Sequence, residues 1–75
     1  MIPETIVDAR GLNCPHPVLA ARAALRDAST GTRIVLLATD PLSSVDVAAW
    51  CARGGRHLVE EHRDGDTLRF VIEQD

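Results

Sequence analysis

Aromatic side chains are nearly absent from this sequence, which contains one Phe, one Trp and no Tyr. The core must therefore be built from Val, Leu, Ile and Ala, although apolar residues still make up 45% of the chain, as in globular proteins. A chain of 75 residues buries only about 60% of the surface that it exposes on unfolding. We therefore expect one domain over residues 1–75, with a modest core and no enclosed pocket of ordinary enzyme size.

Lysine is absent, and the eight arginines are spread along a chain whose net charge is −3. Nucleic-acid binding depends on clustered basic side chains that displace counterions, so the composition argues against direct contact with RNA or DNA. An acidic protein of this size is better suited to the basic surfaces of protein partners. The sequence has no run of about 18 apolar residues and no leader with a basic start and an apolar core. We therefore expect a cytoplasmic, monomeric protein with no membrane segment.

Cysteine is also scarce, with two residues, whereas a disulfide scaffold of this length usually has about four or more. Without paired Cys-x-x-Cys or His-x₃-His spacing, the sequence predicts no metal site, and no cofactor is expected. Cys14 lies in a loop that contains Gly and Pro, and Cys51 lies within a helical pattern. We therefore predict that Cys51 is a core or half-exposed helix residue; the alternative is a thiol that forms a disulfide with Cys14.

Residues 8–17 join a short apolar strand to an Ala- and Leu-rich helix and place Cys14 at the junction. A helix N-terminus carries about half a positive charge and unpaired N–H groups. We therefore expect the pKa of this thiol to fall from about 8.5 towards about 3.5–7.5, which favours the thiolate that attacks other sulfur atoms. In the preferred register Pro15 is the first helical residue and the His16 amide is the free donor to the sulfur. In the rival register the helix starts at Pro17.

The periodicity of apolar residues predicts two helices and four strands in the order βαβαββ. Residues 34–38 form an uninterrupted apolar run, typical of an interior strand that is covered on at least one face. The first helix carries an apolar stripe at 3–4 spacing, and Gly31 is a candidate left-handed cap for it. The stripe consists of Val18, Ala21, Leu25 and Ala28. The predicted elements are residues 5–9, 15–28, 34–38, 43–53, 56–63 and 66–74.

The second predicted helix begins at Ser43 or Ser44, either of which can cap it, and Asp46 is favourable in its first turn. Trp50 on this otherwise small-residue helix is either the largest filler of the core or an exposed docking anchor. Four further residues give the helix its predicted apolar side. They are Val45, Ala48, Ala49 and Ala52.

Asp-Gly at residues 64–65 is a strong hairpin motif between the last two predicted strands. With a two-residue loop at this position, Val59 lies opposite Phe70 on one face of the hairpin. A longer loop would change that pairing. His57 and His62 lie on the same hairpin, where we expect them to face solvent.

The residues at 8–17, Asp-Ala-Arg-Gly-Leu-Asn-Cys-Pro-His-Pro, resemble the signature of the TusA/SirA-like family of small sulfur-carrier proteins, built on a Cys-Pro-x-Pro core. Ala-Thr-Asp-Pro at 38–41, Asp-Val at 46–47 and Trp-Cys at 50–51 are similar to that family's second strand and helix. The resemblance implies an α+β fold, a two-layer α/β sandwich whose four-stranded mixed sheet carries both helices on one face, and the order βαβαββ matches it. One departure is that the family often has Gly-His after the second helix, whereas Gly-Gly-Arg precedes His57 here.

The resemblance further implies that Cys14 carries sulfur as a persulfide. Members of the family take sulfur from a cysteine desulfurase or a rhodanese-like protein and pass it towards tRNA thiolation, molybdenum-cofactor biosynthesis or sulfur oxidation. Such a protein is a sulfurtransferase component that acts with protein partners, and turnover belongs mainly to those partners. The alternative hypothesis is a non-catalytic protein-interaction or redox-regulatory module in which the same cysteine is a sensor.

Three residues near Cys14 are candidates for supporting the site, because their backbone conformations shape the loop that carries the sulfur. Pro15 and Pro17 lack an N–H and have a fixed φ, so they shape the loop and the start of the helix. Gly11 gives the backbone the freedom that the turn requires. We expect these residues to position the sulfur.

Two further candidates have charged or titratable side chains. His16 lies close enough in sequence to act on the proton of the sulfur, although most such histidines are exposed bystanders. Arg10 either stabilises the thiolate through its charge or fixes the loop through a salt bridge to Asp8 or Asp40.

Overall fold

The order of elements along the chain is the predicted βαβαββ. A computed structural model describes residues 4–75, so the first three residues of the predicted domain lie outside the described residues. The elements are β1 (Glu4–Ala9), α1 (His16–Leu25), β2 (Arg33–Ala38), α2 (Ser43–Ala52), β3 (Arg56–Asp64) and β4 (Thr67–Gln74).

The four strands form one mixed sheet in the order β1-β2-β4-β3. β1 pairs with β2 in parallel, and the other two pairings are antiparallel. Parallel neighbours require a crossover connection, which α1 provides. Ala9 lies opposite Ala38, so the loops that follow β1 and β2 leave the sheet side by side at the same edge. This edge carries the candidate site.

The core lies between the sheet and the two helices. Along β2 and β4, alternate side chains point to the same face of the sheet, and those on the helix side are almost fully buried. They pack in one cluster with Ala21 and Leu25 of α1 and with Val47 and Trp50 of α2. Both helices therefore cover one face of the sheet, and the expected two-layer α+β sandwich is confirmed. The buried residues of β2 and β4 on the helix side are Ile34, Leu36, Ala38, Leu68, Phe70 and Ile72.

Helix α1 ends at Leu25, earlier than the predicted end at Ala28. Gly31 has a φ of 90° but does not cap the helix as predicted. Its N–H donates to the carbonyl of Gln74 at 2.9 Å, so its left-handed conformation serves the entry into β2. The predicted core stripe is confirmed, since Ala21 and Leu25 are buried in the core and Val18 and Ala28 are partly buried against it. Within the part of the chain that the structure describes, neither helix has the length and apolar character needed to cross a membrane.

Helix α2 buries a different side from the predicted one. Val45 is 68% exposed, whereas Ser43, Val47 and Trp50 are buried. Spacings of four and three residues place these three on one side of a helix, and burying the large Trp50 ring removes more apolar surface from water than burying alanines. Trp50 is therefore a core residue. The predicted serine cap is also wrong, since Leu42 is the N-cap and its own side chain makes no capping hydrogen bond.

The hairpin between β3 and β4 closes on Gly65-Asp66, because the pairing ends with Asp64 opposite Thr67. Gly65 has a φ of 61°, and no residue other than glycine has a positive φ among the described residues. A positive φ at only the first loop residue is the pattern of a type II′ turn. Phe70 consequently lies opposite Glu61. The predicted pairing of Phe70 with Val59 is wrong, because it assumed a loop of Asp64-Gly65, and the loop at Gly65-Asp66 moves the register by two residues.

We expect Phe70→Ala to destabilise the protein severely. Phe70 is 0% exposed, and emptying such a site costs about 3–5 kcal/mol of a total free energy of unfolding of about 5–10 kcal/mol. Urea denaturation followed by circular dichroism measures the loss. Val59→Ala is the control, because Val59 is 45% exposed and its truncation should cost less than about 1 kcal/mol. Equal losses in the two variants would contradict the assigned core.

Candidate functional site

The two loops that leave the sheet together are tied to each other by hydrogen bonds. The Gly11 N–H donates to Thr39 Oγ1 at 2.9 Å, and the Cys14 N–H donates to Asp40 Oδ2 at 2.7 Å. The other oxygen of Asp40 accepts the N–H of Leu42 at 3.0 Å. These bonds hold the pKa of the Asp40 carboxyl below its usual value, the bond from Cys14 contributing most. Asp40 thus links the cysteine loop to the start of α2.

The thiol of Cys14 is half-buried and hydrogen-bonds to Asp46 Oδ2, in the first turn of α2. The pKa of the thiol is raised, first by this hydrogen bond, then by partial burial, and then by the negative charges of Asp46 and Asp40. The predicted fall in pKa is therefore wrong. A carboxylate in direct contact stabilises the neutral thiol and repels a thiolate, and this outweighs the attraction of a helix end.

The start of α1 explains why the sulfur lacks the predicted donor. The helix begins at His16 with Pro15 as its N-cap, so both predicted registers are wrong by one position. The His16 N–H donates to the carbonyl of Asn13 at 2.8 Å and is not free for the sulfur. The His16 ring is exposed, and its Nδ1 lies 3.1 Å from the same carbonyl. Neither group of His16 contacts the thiol.

Arg10 fixes the loop through Asp8 and does not contact Cys14. Its Nε donates to Asp8 Oδ1 at 2.9 Å, and an Nη donates to Oδ2 at 2.8 Å. The hydrogen bonds from Arg10 lower the pKa of Asp8 to about 2. Of the two predicted roles for Arg10, the structural one is confirmed, with Asp8 as the partner. About half of each side chain is exposed, so the pair contributes little to stability.

Cys51 lies away from this site. It is half-buried against the core, as predicted, and it lines a shallow surface pocket with Gly54 and His57. Since Cys14 contacts the first turn of α2 and Cys51 lies in the last, the two thiols do not meet, and both are free. His57 is exposed and contacts Asp75. Among residues 4–75, no three His, Cys, Asp or Glu side chains are grouped so as to hold a metal ion.

Asp40 and Asp46 are the functional candidates that sequence reasoning missed. Asp40 appeared as an alternative partner for Arg10 and Asp46 as a favourable charge in a helix turn. Both also lie in the segments that resemble the family, but neither was predicted to contact Cys14. The parallel pairing of β1 with β2 was the available indication. Loops that follow neighbouring parallel strands meet at one edge of a sheet, so the acidic residues after β2 had to lie near Cys14.

The arrangement places a nucleophile beside a group that can take its proton. A carboxylate within hydrogen-bond distance of a thiol can act as a general base while the sulfur attacks. Exposed apolar side chains lie close in sequence to Cys14 and to its two aspartates. Leu12 is 43% exposed, Leu42 59% and Val45 68%. The sulfur itself is half-buried, so it stays partly accessible to a protein surface.

Comparison with known proteins gives a consistent result. Residues 5–74 match the model of the family described as sulfurtransferase TusA. The sulfur carrier protein TusA of Pseudomonas paraeruginosa is 36% identical over 69 residues, which covers 92% of this chain and 87% of that protein. The sulfur carrier protein TusA of Pseudomonas putida is 34% identical over 70 residues, with 93% and 88% covered. Bacillus subtilis YrkI is 34% identical over 71 residues, with 95% of each chain covered.

Asp46→Asn should lower the pKa of Cys14, because the variant weakens the hydrogen bond that holds the thiol proton and removes the negative charge that repels a thiolate. The measurement is the rate of iodoacetamide alkylation at Cys14 against pH in a Cys51→Ser background. The midpoint of the variant should move to lower pH. Asp8→Asn is the matched control and should leave the midpoint in place. An unchanged midpoint in Asp46→Asn would show that this carboxylate does not govern the thiol.

Proposed function

Because this chain belongs to the TusA family of sulfurtransferases, we propose that it is a sulfur carrier whose Cys14 holds sulfur as a persulfide. The observation that carries the proposal is the half-buried Cys14 thiol in contact with the carboxylate of Asp46, on an open loop edge. A carrier needs one accessible sulfur that both donor and acceptor can reach, and this edge offers it.

Loading begins with attack of Cys14 Sγ on the outer sulfur of a donor persulfide, R–S–SH. A new S–S bond forms at Cys14 while the S–S bond of the donor breaks, and the donor cysteine leaves as a thiolate. The proton of the Cys14 thiol passes to Asp46 and ends on the departing thiolate. The products are Cys14–S–SH and R–SH, so no oxidant or reductant is consumed.

Unloading is the same exchange in reverse. A thiolate of the acceptor protein attacks the outer sulfur of Cys14–S–SH, and Cys14 leaves with the electron pair of the broken bond. Cys14 then regains a proton and its contact with Asp46. The transferred sulfur sits one S–S bond, about 2 Å, beyond Sγ, where a docked protein can reach it.

Asp46 has a positioning and proton-holding role in this scheme. Because its carboxylate raises the pKa of Cys14, the resting sulfur is a thiol, and reaction requires a proton acceptor at the moment of attack. The Oδ2 atom that accepts the thiol hydrogen bond is that acceptor. A neutral thiol is also a poor target for stray oxidants, since the thiolate is the reactive form.

The other candidate residues act through the loop. Gly11, with a φ of 84°, allows the turn that brings its N–H to Thr39. Pro15 and Pro17 define the start of α1, where Pro15 is the N-cap and Pro17 is buried. His16 is a neighbour of the sulfur with no direct contact to it. Together with Arg10, these residues hold the loop in place.

The partners of the carrier are proteins, and the exposed side chains around Cys14 fit that role. Three exposed apolar side chains lie close in sequence to Cys14 and its two aspartates, namely Leu12, Leu42 and Val45. The donor is a persulfide-bearing protein such as a cysteine desulfurase or a rhodanese-like protein, and the acceptor is a cysteine of a thiolation or other sulfur-accepting protein. The carrier is then a component of a sulfurtransferase system, and its partners set the rate of turnover.

A redox-sensor function has less support from the geometry. Sensor cysteines are typically accessible thiols with a low pKa beside a resolving thiol. Here the pKa of Cys14 is raised, and Cys51 lies at the other end of α2. No contact in the described residues favours the sensor over the carrier.

Incubation with cysteine, PLP and a cysteine desulfurase should add the mass of one sulfur atom, about 32 Da, to the intact protein. Cys14→Ser should abolish this adduct, because it removes the attacking sulfur. Cys51→Ser is the matched control and should retain the adduct. Intact-mass spectrometry without reductant measures all three proteins. Failure to form an adduct with several desulfurases and rhodaneses, or an adduct only at Cys51, would defeat the proposal.

A further inference from the structure

A second concave surface lies at the far end of the two helices from Cys14. This cleft has a volume of about 660 Å³ and is formed by the last turns of α1 and α2, the start of β3 and the end of β4. Both helices begin near the sulfur and end here. Since α1 has ten residues, the cleft is about 15 Å from the sulfur end. We call it the arginine cleft; its lining includes Arg22, Arg26, Arg56, Trp50, Leu25 and Gln74.

The arginine cleft concentrates positive charge in a chain that is acidic overall. Arg22, Arg26 and Arg56 line it, and no carboxylate of residues 4–75 forms a salt bridge with any of them. Arg10 and Arg33, by contrast, are each paired with a carboxylate. Three guanidinium groups that form no salt bridge in one concave surface are suited to an anionic ligand.

Arg56 is held in place before any ligand arrives. Its guanidinium carbon lies 4.5 Å from the centre of the Trp50 ring, and an Nη atom donates to the carbonyl of Trp50 at 2.9 Å. A cation–π contact and a hydrogen bond together fix the orientation of the planar group. Its remaining N–H groups are then available at low entropic cost.

We infer that the arginine cleft binds an acidic segment of a protein partner, with glutamate or aspartate carboxylates at the three arginines. Leu19 and Leu25 also line the cleft, and Leu19 is 48% exposed. A segment that alternates acidic and apolar side chains fits this combination of guanidinium groups and aliphatic surface. The charges of such a segment complement the cleft, as in specific protein interfaces.

Nucleic acid fits the same surface poorly. A net charge of −3 opposes the approach of a polyphosphate chain, whose binding depends on many clustered cations. The only aromatic ring at the cleft is that of Trp50, which is 6% exposed and lies beneath Arg56, so no base can stack on it. An acidic peptide needs only a few charge pairs and an apolar contact.

Binding of an acidic segment at the arginine cleft is separate from the carrier function and requires no sulfur chemistry. The cleft and Cys14 lie at opposite ends of the same helix pair, so one partner can reach both. Its acidic segment would occupy the cleft while its reactive cysteine meets the sulfur. Binding at the cleft is measurable whether or not Cys14 carries sulfur.

The test uses the full chain and a peptide of alternating glutamate and leucine. The chain has a single tryptophan, so Trp50 emission reports ligands that move Arg56. We expect saturable binding that weakens as salt is added. A matched peptide with glutamine in place of glutamate should bind at least about tenfold more weakly. Inorganic phosphate and single-stranded RNA are the competing probes, and at constant ionic strength neither should displace the acidic peptide.

Variants that replace arginine with glutamate test whether the acidic peptide binds in the arginine cleft. The double variant Arg22→Glu with Arg26→Glu should weaken the acidic peptide at least about tenfold, and both side chains are exposed, so folding should be preserved. Arg63→Glu is the matched control: Arg63 is also exposed, has no salt bridge among the described residues and lies outside the cleft. Cys14→Ser should bind normally. Equal binding of the two peptides, equal losses in the Arg63 control, or displacement by phosphate or RNA would overturn the inference.

Discussion

The parallel pairing of β1 with β2 is the constraint on which the candidate site depends. With Ala9 opposite Ala38, the loops after the two strands leave the sheet together, and residues distant in sequence become neighbours. The amide of Cys14 then bonds to Asp40, and its thiol bonds to Asp46. Neither α1 nor α2 alone would create this environment. The site forms because β1 and β2 are parallel neighbours, which brings the loop after β1 next to the loop after β2.

The electrostatics of this edge differ from those of a typical reactive cysteine. A carboxylate in contact with the thiol raises its pKa, so the sulfur rests in its less reactive form. That state suits a carrier, which should react when a partner docks and remain inert between partners. The Cys14 end of the two helices carries the negative charges of Asp40 and Asp46. The other end carries the positive charges of the arginine cleft. A partner with complementary charges would be oriented along the helices before the sulfur atoms meet.

Much of the fold followed from local patterns. The apolar run of β2, the order of elements and the position of Cys14 between strand and helix were all predictable, because each depends on residues close together in sequence. The Cys-Pro-x-Pro resemblance added the sheet type and the layer arrangement. The described residues agree with both.

The errors arose where distant contacts overrode local preference. Val45 was placed in the core because it is apolar, yet burying Trp50 turned α2 so that Val45 faces solvent. The hairpin register shifted because Gly65 takes the first loop position and needs a positive φ there. The pKa of Cys14 was predicted from its own helix, whereas the dominant charge belongs to Asp46 on another helix.

The most direct test of the role of Asp46 is a pH titration of the wild-type protein by NMR, following the ¹³Cβ shift of Cys14. We expect a single transition with a midpoint above the ordinary thiol value of about 8.5, because the thiol proton is shared with the carboxylate of Asp46. A midpoint below that value would mean that the sulfur rests as a thiolate, and it would contradict the role assigned to Asp46.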